Sequence, residues 1–286
     1  MCDTLLCFRD NQANEAFYLL YSYPSLRFLG QFPRKGKGPA EMVMTSGLHF
    51  ASDSVRVMGF PEAQMFVYAT ADLVKGNALP ARTIRCDEAC DWASGLCEVT
   101  DGYIRVRSEP ESGRIVRIDR EGRLLGTCIF ENPQGESKSQ GSLGLWSSVA
   151  DADGTIVALA TTLGEVLDVY DLSDTTVHFR YVGQDGEPQW GDSGGALSQG
   201  TRFGYQRVCI LDDRIYALYW GQPFNELNGV ARKMTLQIFD RTAKLLAVCT
   251  FDRYVDDFAV LPDGRTVLAI DRSAESPLFT FALPEL

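Results

Sequence analysis

GLCEVTDGYIRVRSEPESGRIVRIDREGRLLGTCIF, residues 95 to 130, reads as four short strands joined by turns. GLCEV and YIRV flank Asp101-Gly102, and IVRID and RLLGTCIF flank Glu121-Gly122. Tight hairpin turns need positive φ at their central residues, and acidic-Gly pairs supply it. The strands alternate or run apolar over four to seven residues, too short for helices and bounded on both sides by turn residues.

The same acidic turn followed by an apolar strand recurs along the whole chain: CDTLLCF from Cys2, SDSVRVM from Ser52, TDGYIRV from Thr100, ADGTIVAL from Ala152, DDRIYAL from Asp212 and PDGRTVLA from Pro262. Taking Asp3, Asp53, Asp101, Asp153, Asp212 and Asp263 as markers, the intervals are 50, 48, 52, 59 and 51, a period close to 52. A second signature, an apolar strand ending in Tyr or Asp, then a short polar turn, then another strand, falls inside each period. It appears in FYLLYSYPSLRFLGQF, MFVYATADLV, IVRIDREGRLLGTCIF, LDVYDLSDTTVHFRYV and LQIFDRTAKLLAVCTF, with LFTFAL closing the chain. One more strand precedes each acidic turn from the second onward, as in GLHFA and QRVCIL.

Four antiparallel strands repeated six times predict an all-β, six-bladed β-propeller, in which radial repetition leaves only short protected edges. Length alone, 286 residues against about 150 per domain, would suggest two domains, and two sandwiches are the alternative architecture. One period persisting throughout favours a single domain, 1–286, with blades near 1–33, 47–86, 95–131, 146–183, 205–251 and 256–286. With strands named A to D from the axis outward, the first blade lacks its A strand and the sixth its D strand. The expectation is that upstream residues, or pairing of the termini, complete the ring.

Composition bounds the function. Apolar residues at 45% and charged residues at 23% describe an ordinary globular chain. A net charge of −11 argues against nucleic acid or an anionic membrane as the main partner, since phosphate backbones select clustered Lys and Arg. No apolar run approaches the roughly 18 residues that span a bilayer. The first residues, MCDT, carry no export signal.

LRFLGQFPRKGKGPAEM, residues 26 to 42, resembles the fGrkGxGPxE segment of the bacterial six-bladed propellers described as TolB-like, and IYALYWG, residues 215 to 221, resembles their YALYsG strand and loop. Ala40 stands where a glycine is common before the glutamate. The resemblance implies the propeller fold and an extracytoplasmic setting in the cell envelope, with a lipid anchor upstream as one form of attachment. It implies no particular chemistry.

In a propeller the D-to-A and B-to-C connections emerge at one end of the blades, the A–B and C–D hairpins at the other. The hairpins read as mostly two to four residues, whereas residues 33–46, 131–144 and 183–204 are long D-to-A connections and 221–233 is a long B-to-C connection. Long loops on a rigid scaffold carry binding residues. The candidates there are Arg34, Lys35 and Lys37, a basic patch on an acidic protein, and the aromatic residues Trp190, Tyr205 and Trp220. Arginine beside exposed aromatic residues suits a small molecule, glycan or peptide. The competing readings are loop-tip solvation for the three cations and inter-blade packing for Tyr205 and Trp220. Gly36, Gly38 and Pro39 read as structural residues shaping a tight loop whose backbone amides Glu41 satisfies.

Other motifs lead nowhere. GDSGG, residues 191 to 195, matches the segment around the serine-protease nucleophile, but Ser193 would need a histidine base, and His49 sits in a strand of another blade in an unrelated context. It reads as a chance match. Cys86, Cys90 and Cys97 lack metal-ligand spacing, and the only histidines, His49 and His178, are remote in sequence. They read as free thiols or, in an exported protein, as a disulfide. Cys128 and Cys249 read as buried strand residues, and His178 as a half-exposed strand residue. DADG, residues 151 to 154, coincides with a hairpin turn, and GKGP lacks phosphate-loop spacing. No cofactor or metal is called for. The leading function is therefore a non-catalytic ligand- or protein-binding module. The alternative is a propeller enzyme, a lyase or hydrolase, whose axial site is assembled from several blades and leaves no linear motif.

Overall fold

The computed structural model describes residues 5–9, 15–51, 53–87, 93–107, 114–128, 148–174, 178–188, 197–198, 200–223 and 234–285. The architecture is all-β, in six sheets that follow one another along the chain. They fall into two compact units: Met1–Val106 with Ile115–Thr127, and Arg107–Arg114 with Cys128–Leu286.

The first unit holds three sheets. One is β1 (Leu5–Arg9), β2 (Ala16–Ser22), β3 (Phe28–Lys35) and the two-residue β4 (Glu41–Met42). The next is β5 (Met44–Phe50), β6 (Ser54–Phe60), β7 (Gln64–Ala69) and β8 (Arg82–Arg85). The third is β9 (Ala93–Val99), β10 (Gly102–Arg107), β11 (Ile115–Ile118) and β12 (Leu124–Cys128). Side chains from neighbouring sheets interdigitate: Leu5, Leu20 and Phe32 pack with Val55, Phe66 and Tyr68, and Met58 and Met65 pack with Tyr103, Val116 and Ile118.

The second unit repeats the plan. Its sheets are β13 (Ser148–Asp153), β14 (Ile156–Thr161), β15 (Val166–Asp171) and β16 (His178–Val182), then β17 (Tyr205–Leu211), β18 (Arg214–Tyr219), β19 (Thr235–Asp240) and β20 (Leu245–Thr250). A sheet of β21 (Asp257–Val260), β22 (Thr266–Ile270) and β23 (Leu278–Ala282) follows. Central strands such as β14 and β18 are buried on both faces and read as near-continuous apolar runs, while the outer β20 alternates half-buried and exposed residues along its length.

Two local elements depart from the sequence reading. MFVYATADLV was expected to hold two strands and a turn, but Thr70–Val74 forms a short helix, α1, and the outer strand is β8. Asp72 sits in the helix's first turn and Leu73 buries against the first core, so the apolar pair Leu73-Val74 serves a helix rather than a strand. The second departure is β4, which runs parallel to β3, with Arg34 opposite Glu41 and Lys35 opposite Met42. By the acidic markers, β1, β2 and β3 correspond to β6, β7 and β8, and β21, β22 and β23 correspond to β5, β6 and β7.

Among the described residues the thiols of Cys7, Cys209 and Cys249 are free. Cys86 Sγ lies 4.0 Å from Met58 Sδ, a soft core contact. Cys90 lies outside the described residues.

Candidate functional site

The connection after β3 closes on itself. Glu41 folds back so that its Oε2 accepts the Gly38 N–H at 2.9 Å, while Glu41 N–H donates to Gly38 O at 3.0 Å and Gly36 N–H to Met42 O at 3.0 Å. A Cβ at Gly36, whose φ is +156°, would lie 2.0 Å from Glu41 Oε2, and one at Gly38 3.0 Å from the same carboxyl. Pro39 completes the exposed tip. Arg34 and Lys37 are exposed, and Lys35 lies over the Phe17 ring at 5.0 Å.

A larger assembly forms in the second unit, where the A and B strands of the fifth blade extend past the sheet. Phe203 N–H donates to Gln222 O at 2.9 Å, Gly221 N–H to Phe203 O at 3.0 Å, and Arg202 pairs with Pro223. This ribbon leans on the β14–β15 turn, with Gly164 N–H on Arg202 O at 2.9 Å and Gly204 N–H on Thr162 O at 2.8 Å. Glycine is required by the close approach. A Cβ at Gly204 would meet Gly164 O and Thr161 O at 2.4 Å, and one at Gly183 the Glu165 carboxyl carbon at 1.9 Å.

Beneath the ribbon lies a buried polar network. Glu165 Oε1 accepts from Gln237 Nε2 at 2.7 Å and from Tyr181 OH at 3.3 Å, and its Oε2 accepts Asp185 N–H at 3.1 Å. Tyr205 OH donates to Gln237 Oε1 at 2.6 Å, which fixes the amide's orientation. Burial, reinforced by the Glu165 charge, pushes the Tyr181 hydroxyl up to about 12 and the Tyr205 hydroxyl well above its ordinary range, so both remain donors.

At the surface end, Asp185 accepts from Tyr219 OH at Oδ2 and pairs through Oδ1 with Arg202 Nε at 2.8 Å. Burial first, then the bond to Asp185, raises the Tyr219 hydroxyl far above its usual value. Arg202 Nη1 also donates to Gly221 O at 2.7 Å. Along the same ribbon the Phe203 and Trp220 rings stack at 4.5 Å, and Tyr254 meets Trp220 edge-on at 6.2 Å, with Trp220 and Tyr254 packing toward the core of the last sheet whereas Tyr219 packs toward the preceding one. Phe203, Trp220 and Tyr254 are half-buried.

Both histidines are structural partners in strands. His49 Nε2 sits 3.3 Å from Glu98, which also binds Arg56 at 2.8 Å and Arg120 at 2.7 Å. Burial lowers His49 to about 4 against the opposing pull of Glu98. Asp168, fully buried, receives Arg114 at 2.7 Å, Arg180 at 2.5 Å and His178 at 3.0 Å. Burial alone would raise its carboxyl, yet the bonds from His178 and Arg180 and the charges of both arginines hold it below the usual carboxylate range. His178 stacks on Tyr170 at 4.4 Å.

The family model described as "TolB-like 6-blade propeller-like" matches residues 1–263. The chain belongs to this family. Solved structures of similar fold include a DUF4221-family protein of Bacteroides vulgatus, with a TM-score of 0.65 and 9% identity, covering 99% of this chain and 92% of that one. An exported protein of Bacteroides fragilis, provisionally so named, gives 0.54 and 12%, covering 94% and 77%. A provisionally named 6-phosphogluconolactonase of the same species gives 0.51 and 13%, covering 98% and 90%. At such identities the likeness is one of fold. No curated protein matches.

Of the residues singled out in the sequence, Gly36, Gly38 and Glu41 form the closed loop after β3. Tyr205 is fully buried and braces Gln237, and Trp220 stacks half-buried at the ribbon. Arg34, Lys35 and Lys37 belong to the first unit, and Trp190 and the GDSGG segment lie outside the described residues. Arg202, Phe203, Asp185, Glu165 and Gln237 were not singled out. The first three lie inside the quoted 183–204 connection, but which of its residues face one another is set by chain pairing that a linear reading does not show. Among the described residues no cluster of metal-ligating side chains occurs, and no helix is long and apolar enough to cross a membrane.

Proposed function

We propose that this chain is a non-catalytic ligand-binding propeller of the bacterial cell envelope that engages its partner through the D-to-A and B-to-C connections. The ribbon of the second unit is its principal site. One observation carries the reading: Arg202, Phe203 and Trp220 are presented on a backbone crossing locked by Gly164, Gly183 and Gly204, with a satisfied polar network behind it. Such preorganisation lowers the entropic cost of binding. The ionisable groups at the ribbon are engaged in stable pairs, Arg202 with Asp185 and Asp185 with Tyr219, an arrangement suited to recognition. Family membership supports the extracytoplasmic setting. Tyr205 is framework behind the ribbon; Trp190 is proposed as a further ligand contact, and in the first unit Arg34, Lys35 and Lys37, on the loop that Glu41 frames, as a separate contact surface.

Thermal-shift screening with glycans, peptides and carboxylates tests this. A ligand that raises the melting temperature of the wild type and loses its effect in Trp220→Ala is expected. Turnover of lactone or glycoside substrates by the purified protein would overturn the non-catalytic assignment.

A further inference from the structure

We propose that the outer groove between β16 and β20 docks a short amphipathic helix of a partner protein, one with a leucine anchor and an acidic first turn. The first unit shows how such a groove is filled. There the connection from β7 to β8 forms α1, whose Leu73 is buried in the core of the first two sheets. The chain beyond α1 lies along β3: Ala78 and Leu29 pack on the same core, and a Cβ at Gly76 would stand 3.6 Å from Leu29 O. Leu29 precedes Gly30, the residue opposite Leu20 of β2. In the second unit Phe179 holds the matching place, opposite Val169 of β15. Leu20 and Val169 each stand two residues before the last paired residue of their strand, Ser22 and Asp171. Here, however, the connection from β19 to β20 is a tight turn, residues 241–244, from which Ala243 reaches the core. Such a turn is too short to cross the groove, and Phe179 stays 40% exposed.

The two walls of the groove face one another. Phe179 alternates with Tyr181 along β16, and the Tyr181 ring meets Phe239 of β19 at 4.9 Å, so this side of β16 is turned to the fifth sheet. Across from it, Val248 of β20 stands opposite Gln237, whose amide bonds Glu165, so Val248 is turned to the fourth sheet. Tyr181, Phe239 and Leu245 pack together as the floor. Val248 is 51% exposed, and Leu246, at the bulge before it, 41%. Exposed apolar residues on facing walls above a shared floor form a continuous surface, which isolated surface residues do not. A helix laid into an apolar groove is a recurring mode of peptide recognition, and α1 is this chain's own example of it. Charge at the hairpin end selects the partner. Asp240 spends its carboxylate on the Thr242 and Lys244 amides of its own turn, and Arg241 is paired with Asp153, so the exposed Lys244 is the charge the turn presents. An acid in the first helical turn, where α1 carries Asp72, complements it.

Selection from displayed peptide libraries against the full chain, followed by titration of the selected peptides, tests the assignment. The libraries are acidic amphipathic helices with a leucine stripe, basic amphipathic helices, acidic helices interrupted by proline, and scrambled acidic peptides that lack the stripe. The first class is expected to bind, and the other three at least about tenfold more weakly. Phe179→Ser and Val248→Ser are expected to weaken binding to a similar degree with unchanged melting transitions, and Trp220→Ala to leave it as it is. Should the serine variants misfold, Lys244→Glu replaces them: a preference that moves from acidic to basic helices supports the proposal, and an unmoved preference overturns it. Equal binding of proline-interrupted or scrambled peptides, binding indifferent to Phe179→Ser, or no binding by any class would overturn it. So would a wild-type dimer in sedimentation that Phe179→Ser dissociates, since the occupant would then be a second copy of the chain. None of these outcomes bears on the ribbon, whose ligand depends on Trp220.

Discussion

The connection after β3 in the first unit and the connection after β16 in the second use the same device for different ends. In each, a carboxylate occupies space that only glycine leaves open: Glu41 against Gly36 and Gly38, Glu165 against Gly183. Glu41 lies within a few residues of its glycines, is half-buried, and spends its hydrogen bond on its own loop. Glu165 is 5% exposed and gathers donors 16, 20 and 72 residues away. The first arrangement makes a turn. The second makes a platform, because tying distant segments together leaves Asp185 and Arg202 held at the surface.

Removing the carboxylates should separate the two most strongly. Glu165→Ala strands Gln237, Tyr181 and the Asp185 amide in a buried setting and is expected to cost about 3 kcal/mol in urea unfolding. Glu41→Ala loses one amide partner on a half-exposed loop, about 0.5 to 1 kcal/mol. Equal losses would break the comparison. The glycines come next: Gly183→Ala should cost about 2 kcal/mol, because Glu165 is pinned and cannot give way, and Gly36→Ala about 1 kcal/mol, because Glu41 can swing out. A double-mutant cycle sharpens this. Glu41→Ala should relieve much of the Gly36→Ala penalty and Glu165→Ala much of the Gly183→Ala penalty, because each Cβ meets the carboxylate that is removed, but the Glu165 cycle keeps the larger cost of its stranded donors.

Acid should distinguish the units through their histidine–carboxylate clusters. His49 is lowered from 6.5 to about 4, so between those values the unfolded chain binds a proton that the native chain does not. Stability at β5 therefore falls as pH drops from about 6.5 to about 4. Asp168 is shifted below its ordinary 3.8, so its contribution is complete above that value and is lost only as pH falls beneath it. Hydrogen exchange at pH 7 and pH 5 should show β5 loosening with β15 unchanged, and His49→Gln should abolish the difference. The smallest effect is expected from Lys37→Ala, within about 0.5 kcal/mol by thermal melting, since its side chain lies on an exposed loop tip.

Legibility in the sequence follows the range of the interaction. Strand positions were readable because period-2 burial and Asp-Gly turns are local, and β5, β10, β15 and β19 lie where the repeats put them. The Glu41 loop was readable for the same reason, since GKGPAE carries the glycines and the acid together. Thr70–Val74 was misread because an apolar Leu-Val pair fits a strand and a helical turn equally well, and only the packing of Leu73 against the first core decides. The platform residues were hidden because Gln237 reaches Glu165 across 72 positions.

The sequence by itself determined the number of blades and the strand order within each, because these follow from turn chemistry and alternation within some 50 residues. Tertiary structure alone decided that Tyr205 is a buried brace, that Glu165 rather than a loop residue anchors the 183–188 turn, that Arg202 meets Asp185, and that Phe203 stacks on Trp220. The physical reason lies in the burial of polar groups: once a carboxylate leaves water it must take whatever donors the fold brings within 3 Å, and those donors are chosen by strand register and blade packing.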